Sequence, residues 1–197
     1  ALDGFRLSIR ESNEFTSDID ITIPSEAVKL LEKLLDMKSN EIVEVYTEVK
    51  MTNRVRFVFG NIEVIIKGIE GTYIKYEQLL VSEDDNKTIL NVNDEELKDK
   101  LNLINKTIEK PVLKLDIKDN EVNFHSTDKE NSIKDSMICN DIKGDNLEIG
   151  FNCKYILEAV KQYDDDFKMY FNRNISPVTI TKDYKNLEFV LPVRMVS

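Results

Sequence analysis

Apolar positions follow two alternating periods along this chain. Three stretches carry the three-and-four spacing of a helix with one buried face. The first, from Pro24 to about Asp36, aligns Ala27, Leu30, Leu31, Leu34 and Leu35, with Pro24 and Glu26 suited to a first turn. The second runs from Asn93 or Asp94 to about Ile108 and aligns Leu97, Leu101, Ile104 and Ile108. Asn93 can cap it, and Asp94, Glu95 and Glu96 complement the dipole of its first turn. The third, from Asn152 to about Tyr163, turns Ile156, Leu157, Ala159, Val160 and Tyr163 inward behind the cap Asn152.

Around each helix the period falls to two, as in strands. Ile19-Ile21-Ile23, Ile89 to Val92 and Leu147-Ile149-Phe151 precede the three helices. After the first come Val43-Val45-Thr47, Val55-Phe57-Phe59 and Ile62-Val64-Ile66, with a turn at Gly60-Asn61. After the second come Leu113-Leu115-Ile117 and Val122-Phe124, joined through Asp119-Asn120, and a further strand between Ser136 and Ile142. After the third come Phe167-Met169-Phe171, Val178-Ile180 and Phe189-Leu191-Val193. Strand, helix and three strands are thus written three times. That order predicts an α+β fold of repeated β-α-β-β-β units, with helices on one face of largely antiparallel sheets. The charged run Ser82 to Lys87 is the natural boundary, with two copies of the repeat after it and one before.

The 197 residues, 41% apolar and 32% charged, describe a globular chain with enough length for one large or two small cores. No apolar run approaches the roughly 20 residues that span a bilayer, and the opening residues lack the form of a signal peptide. Because the chain starts without Met and inside an apolar/polar alternation, it is expected to begin within a larger protein. Cys139 and Cys153 are too few for a disulfide framework or a zinc site, which points to a reducing cytoplasm. Three glycosylation sequons, at Asn86, Asn105 and Asn174, are what chance yields in an Asn-rich chain. A net charge of -10 argues against nucleic acid as an average, but a basic face on an acidic molecule stays possible.

Chemistry is sparse. His125 is the single histidine and has no nucleophile near it in sequence. Asp164-Asp165-Asp166 follows a helix end without calcium-loop spacing, so a solvated loop is the simpler reading than a metal-dependent hydrolase. Gly60, Gly68 and Gly71 make no phosphate cradle. No active site assembles, no cofactor is called for, and a binding scaffold is expected rather than an enzyme. The polar helix faces carry Lys29 and Lys33, then Lys98, Lys100 and Lys106, then Lys154 and Lys161. These form either a basic stripe or ordinary helix surface, interrupted by Glu32, Asp99 and Glu158.

Five strings, in order, carry a resemblance. They are Asp3-Gly4-Phe5-Arg6-Leu7; Ile69-Glu70-Gly71-Thr72-Tyr73-Ile74-Lys75-Tyr76; Leu147-Glu148-Ile149-Gly150-Phe151-Asn152 with Tyr155; Asn174-Ile175-Ser176-Pro177-Val178; and Phe189-Val190-Leu191-Pro192-Val193-Arg194. Together they cover nearly the whole chain, which resembles the bacterial sliding clamps, the β subunits of DNA polymerase III. The resemblance implies the DNA-clamp fold, with two helices on one face of the sheets in each complete domain. It divides the chain into 1–82, the C-terminal half of a middle clamp domain, truncated, and 83–197, a complete C-terminal clamp domain.

The resemblance also implies a function: a processivity factor whose two full-length chains close head-to-tail around duplex DNA and slide without reading sequence. Replicative and translesion polymerases, the clamp loader and repair proteins would dock through short peptides bearing glutamine and Leu/Phe. The implied pocket comprises Leu2, Gly4, Phe5, Arg6, Leu7, Ile74, Gln78, Leu79, Asn152, Tyr155, Pro177, Phe189, Val190, Leu191, Pro192, Val193 and Arg194. Lys29, Lys33, Lys98, Lys106, Lys154 and Lys161 would face DNA. Phe5 stands where the family usually has His and Leu2 where a small polar residue is common, which makes the implied pocket more apolar; Ile74 stands where Pro is usual. The alternative is a clamp-like protein-interaction module without a role on DNA. No membrane partner is implied.

Overall fold

A computed structural model describes residues 1–13, 19–37, 42–47, 53–79 and 85–195. Ser82 to Asp84 of the expected linker lie outside the described residues. The chain divides into two compact units, Ala1–Ser12 with Val81–Ser197, and Asn13–Leu80. Residues 1–12 therefore group with the C-terminal unit, unlike the division at 82/83 expected from sequence. The reason is a ladder. Strand β1 (Arg6–Arg10) pairs antiparallel with β13 (Asn186–Val190), from Arg6 opposite Val190 to Arg10 opposite Asn186.

The larger unit holds two repeats. The first is β5 (Thr88–Val92), α2 (Asp94–Thr107), β6 (Val112–Lys118), β7 (Glu121–Thr127) and β8 (Ser132–Ile138). The second is β10 (Leu147–Asn152), α3 (Cys153–Val160), β11 (Phe167–Phe171), β12 (Val178–Thr181) and β13. The region 136–142, read as one strand, resolves into the end of β8 and the short β9 (Ile142–Gly144), which pairs with β5.

Each repeat lends its leading strand to the other. β10 pairs with β6 and β5 pairs with β11, giving sheets ordered β10-β6-β7-β8 and β1-β13-β12-β11-β5-β9. α2 and α3 pack side by side, and Leu101, Ile104, Leu113, Ile117, Ile149, Phe151, Val160 and Ile180 fill the shared core.

Local chemistry sets the helix ends. Asn93 Oδ1 accepts from the Glu96 N–H at 3.1 Å and Asn152 Oδ1 from the Lys154 N–H at 3.0 Å, the side-chain caps expected. α2 ends at Thr107, where Ile108 leaves the helical region at φ -100° and ψ 129° while its N–H still donates to the Ile104 carbonyl. The β6–β7 turn takes Asp119 to φ 52°, which Asp tolerates better than most residues. β13 ends at Val190, short of the expected Phe189-to-Val193 strand. Pro192 has no N–H to give a ladder, so residues 191–195 run on as an extended tail.

The smaller unit is a single repeat. α1 (Ser25–Met37) packs on a sheet of β2 (Val43–Thr47), β3 (Arg54–Phe59) and β4 (Ile62–Lys67), in that order. Its buried core is small: Leu31, Val55, Phe59 and Ile66. Gly60 opens the β3–β4 turn at φ 57°, the left-handed conformation that glycine adopts without strain. The strand expected at Ile19–Ile23 is present as one isolated bridge, Thr22 to Ile69. No helix among the described residues is long and apolar enough to cross a membrane.

Candidate functional site

The two ends of the larger unit's sequence meet at one edge of its longer sheet. Residues 1–8 fold into a tight hairpin. Leu2 bridges Leu7, the Ser8 N–H donates to the Ala1 carbonyl at 2.9 Å, and Gly4 turns the chain at φ 87°. The Asp3 carboxylate holds that turn. Its Oδ1 accepts the backbone N–H groups of Phe5 (3.0 Å) and Arg6 (2.8 Å), and its Oδ2 accepts Arg6 Nε (2.8 Å) and Nη2 (2.6 Å). Partial burial would raise the Asp3 carboxyl, but these donors outweigh it and hold the group below the usual carboxylate range.

Arg6 ties the hairpin to α3. Its guanidinium sits 4.4 Å from the centroid of the Tyr155 ring and donates through Nη1 to Glu158. Tyr155 and Glu158 are three apart on α3, so they present neighbouring side chains to one cation. The Phe5 ring lies 6.0 Å from Tyr155, centroid to centroid. Deeper in the ladder Glu188, only 6% exposed, accepts from Ser8 Oγ at 2.8 Å and from Arg10, which pairs the buried charge.

The tail continues this surface. The Leu191 N–H donates to the Phe5 carbonyl at 2.9 Å, and the Val193 N–H to the Gly150 carbonyl at 2.9 Å. Gly150 leaves room for the tail. A Cβ there would meet Met195 Cγ at 2.8 Å and Val193 Cγ2 at 3.4 Å. Pro177 directly precedes Val178, whose register partner is Val190. Leu7, Phe189 and Val190 are buried, Leu7 opposite Phe189 on one face of the ladder and Val190 opposite Arg6 on the other, whereas Leu2, Phe5 and Leu191 keep 39%, 58% and 42% of their surface. Pro192 and Val193 are half-buried and Arg194 is exposed. Ile74, Gln78 and Leu79 belong to the smaller unit, where all three are exposed, the last two within a short 3-10 turn, Tyr76–Leu79.

A groove of about 380 Å³ lies beside the tail, between the exit of α2 and the start of α3. It is lined by Asn105, Ile108, Lys110, Pro111, Val112, Asn152, Lys154 and Val193. Sequence reasoning assigned Asn152 and Val193 to a pocket but missed Ile108, Pro111 and Val112. The apolar run at the helix exit was the available signal. It also missed Asp3 and Glu158, which orient Arg6. The Asp-Gly-x-Arg spacing and the Tyr155/Glu158 pair were legible once Arg6 was known to reach α3.

The lysines divide. Lys29, Lys33, Lys106, Lys154 and Lys161 are exposed. Lys98 departs from the expected DNA-facing role. It is half-buried and donates to Asp94 Oδ2 at 2.8 Å and to the Tyr163 carbonyl, so its charge is used within the unit. Lys100 is likewise paired, with Asp135 at 3.1 Å. Asp166, read as a solvated loop carboxylate, accepts from Asn93 Nδ2 at 3.2 Å at the head of α2. His125 sits half-buried in mid-strand on β7. Cys139 and Cys153 are buried and free, and burial pushes their thiols up to about 11 and about 12.

Residues 81–194 match the family model of the DNA polymerase III beta subunit, C-terminal domain. Over 201 residues the chain is 28% identical to the beta sliding clamp of Staphylococcus epidermidis, covering 98% of this chain and 52% of the relative. Over 203 residues it is 27% identical to that of Staphylococcus aureus, with the same coverage. The chain thus spans about half the length of the curated relatives it matches. Among solved structures, the DNA polymerase sliding clamp of Bacillus subtilis superposes with a TM-score of 0.86 at 24% identity, covering 100% of this chain and 53% of that one. The clamp of Caulobacter crescentus gives 0.87 at 20% identity, covering 99% and 52%. These two likenesses establish the shared fold.

Proposed function

The chain belongs to the DNA polymerase III beta subunit family, and from that membership we propose that it is part of a sliding clamp: a processivity factor, not a catalyst, that tethers replication and repair proteins to DNA in the bacterial cytoplasm. The observation that carries this reading is the β1–β13 ladder. It brings Leu2 and Phe5 from one end of the sequence to the same sheet edge as Leu191 from the other, and all three are exposed apolar groups. Such a surface suits one or two apolar anchors of a short peptide. The Leu191-to-Val193 backbone and Arg194 lie alongside to orient the peptide's polar groups. Tethering acts by raising the local concentration of a client and needs no bond chemistry.

The DNA arm belongs to the closed, full-length ring. There the exposed Lys29, Lys33, Lys106, Lys154 and Lys161 would meet phosphates loosely and without reading bases. Clients would be polymerases, the clamp loader and repair proteins. The test is calorimetry of the chain with a short peptide bearing glutamine and a Leu/Phe pair. Binding near micromolar, about -8 kcal/mol, is expected, and it should vanish in Leu191→Asp, where docking would bury an unpaired charge. No heat at millimolar peptide, or full affinity in Leu191→Asp, would overturn the assignment.

A further inference from the structure

The tip of the hairpin lies beyond the β1–β13 ladder, whose last register pair at that end is Arg6 opposite Val190. Its polar groups mostly turn inward. The Asp3 carboxylate accepts from Phe5 and Arg6, and the Ala1 ammonium donates to the Ser8 carbonyl at 2.8 Å. Outside the ladder, two hydrogen bonds among the described residues tie residues 1–6 to the rest of the unit. One is the backbone bond from the Leu191 N–H to the Phe5 carbonyl. The other is the bond from Arg6 Nη1 to Glu158, and it alone of the two is made by side chains and reaches α3.

That second bond settles where the guanidinium lies. Arginine is long and rich in rotamers, so one contact rarely fixes it. Here Asp3 takes Nε and Nη2, and Glu158 takes Nη1, so the planar fork is held along two edges. The plane is thereby kept against the Tyr155 ring, one turn before Glu158 on α3. Tyr155 in turn meets the Phe5 ring at 32° between planes. Glu158 thus reaches Phe5 through Arg6 and Tyr155 without touching it. Its two oxygens have separate partners, Oε2 facing Arg6 and Oε1 lying 3.8 Å from Lys154 Nζ.

We propose that Glu158 is a positioning residue of the peptide surface: by holding the Arg6 guanidinium against the Tyr155 ring, it pins the hairpin tip to α3 and fixes where Phe5 stands. This rests on the reading of Leu2, Phe5 and Leu191 as the client-peptide surface. A hairpin already held in place need not be ordered when the peptide arrives, and affinity rises by that saving in entropy. The role of Arg6 changes accordingly. Each of its three nitrogens donates to Asp3 or Glu158, so Arg6 carries the tie and not a client's carboxylate. The exposed Arg194 on the tail is the arginine available to an acidic group of a client.

The test is calorimetry of the peptide bearing glutamine and a Leu/Phe pair with the parent chain, Glu158→Ala, Glu158→Gln, Arg6→Ala and the double variant Arg6→Ala/Glu158→Ala. Glu158→Ala is expected to weaken binding by about two- to thirtyfold, the range for residues that act without touching the ligand. Its thermal midpoint should change little, because so exposed a pair adds little to stability. Glu158→Gln keeps an acceptor for Nη1 and should recover most of the loss. The double variant should bind no more weakly than Arg6→Ala, since Glu158 acts through Arg6. Full affinity in Glu158→Ala, equal losses in the Ala and Gln variants, or additive losses in the double variant would overturn the positioning role and leave the peptide surface standing. No binding by the parent chain would overturn the surface itself, and the positioning role with it.

Discussion

Replacing Phe5 with alanine separates the candidate site from the fold that supports it. A Phe side chain buries about 150–250 Å² when fully covered, and Phe5 retains 58% of its surface in the free chain. Roughly 120 Å² is therefore open to a ligand, and a peptide covering half to all of it gains about 1.5–3 kcal/mol at about 25 cal/mol/Å². Phe5→Ala should weaken a Leu/Phe-bearing peptide by about ten- to one-hundred-fold. The free chain loses the tilted contact with Tyr155 at 6.0 Å and the rest of the ring's covered surface, roughly 90 Å² or about 2 kcal/mol by the same area count. The hairpin's hydrogen bonds come from Asp3, Arg6 and the backbone, and alanine leaves them intact. Calorimetry gives the affinity and a urea titration gives the stability. Peptide affinity within twofold of the parent chain, with the fold intact, would show that Phe5 lines no binding surface. A large loss of stability would show that the ring is structural despite its exposure.

Two further outcomes test the scaffold. Tyr163 is buried, and its hydroxyl lies 2.8 Å from the Ile180 carbonyl and 3.2 Å from that of Asn186. Tyr163→Phe removes that donor and should cost about 1–3 kcal/mol in urea-induced unfolding, while Asn186 keeps the Thr181 hydroxyl. Asp128 accepts the backbone N–H groups of Glu109, Glu130 and Asn131, which lower its carboxyl to about 2. A depressed folded value means that its contribution is full above the ordinary carboxylate value and is lost as pH falls from about 4 to about 2. Amide exchange at Glu109, Glu130 and Asn131, corrected for intrinsic rates, should accelerate over that interval and already be fast at neutral pH in Asp128→Ala. Unchanged protection in the variant would refute the role of the carboxylate.

How much was legible follows from the range of each interaction. The three helices and their caps at Asn93 and Asn152 came directly from apolar spacing and side-chain chemistry, because both act within a turn or two. Most strand positions came from alternation for the same reason. Alternation alone carried the expected strand past Val190, because it takes no account of the N–H that Pro192 lacks. Lys98 looked like any helix-surface lysine, since nothing local reveals that Asp94 and the Tyr163 carbonyl converge on it.

The sequence by itself determined the repeat: which segments are helices or strands, and which face of each is apolar. Only the tertiary structure decided the partners. Alternation marks the buried side of a strand but not its neighbour, so the exchange of β5 and β10 between repeats and the placing of β1 against β13 are invisible locally. The candidate surface is of that kind, since Phe5 and Leu191 are joined by one backbone hydrogen bond across almost the whole chain. Ladder bonds and the Arg6 contacts to Tyr155 and Glu158 form wherever folding brings the groups together, whatever their separation in sequence.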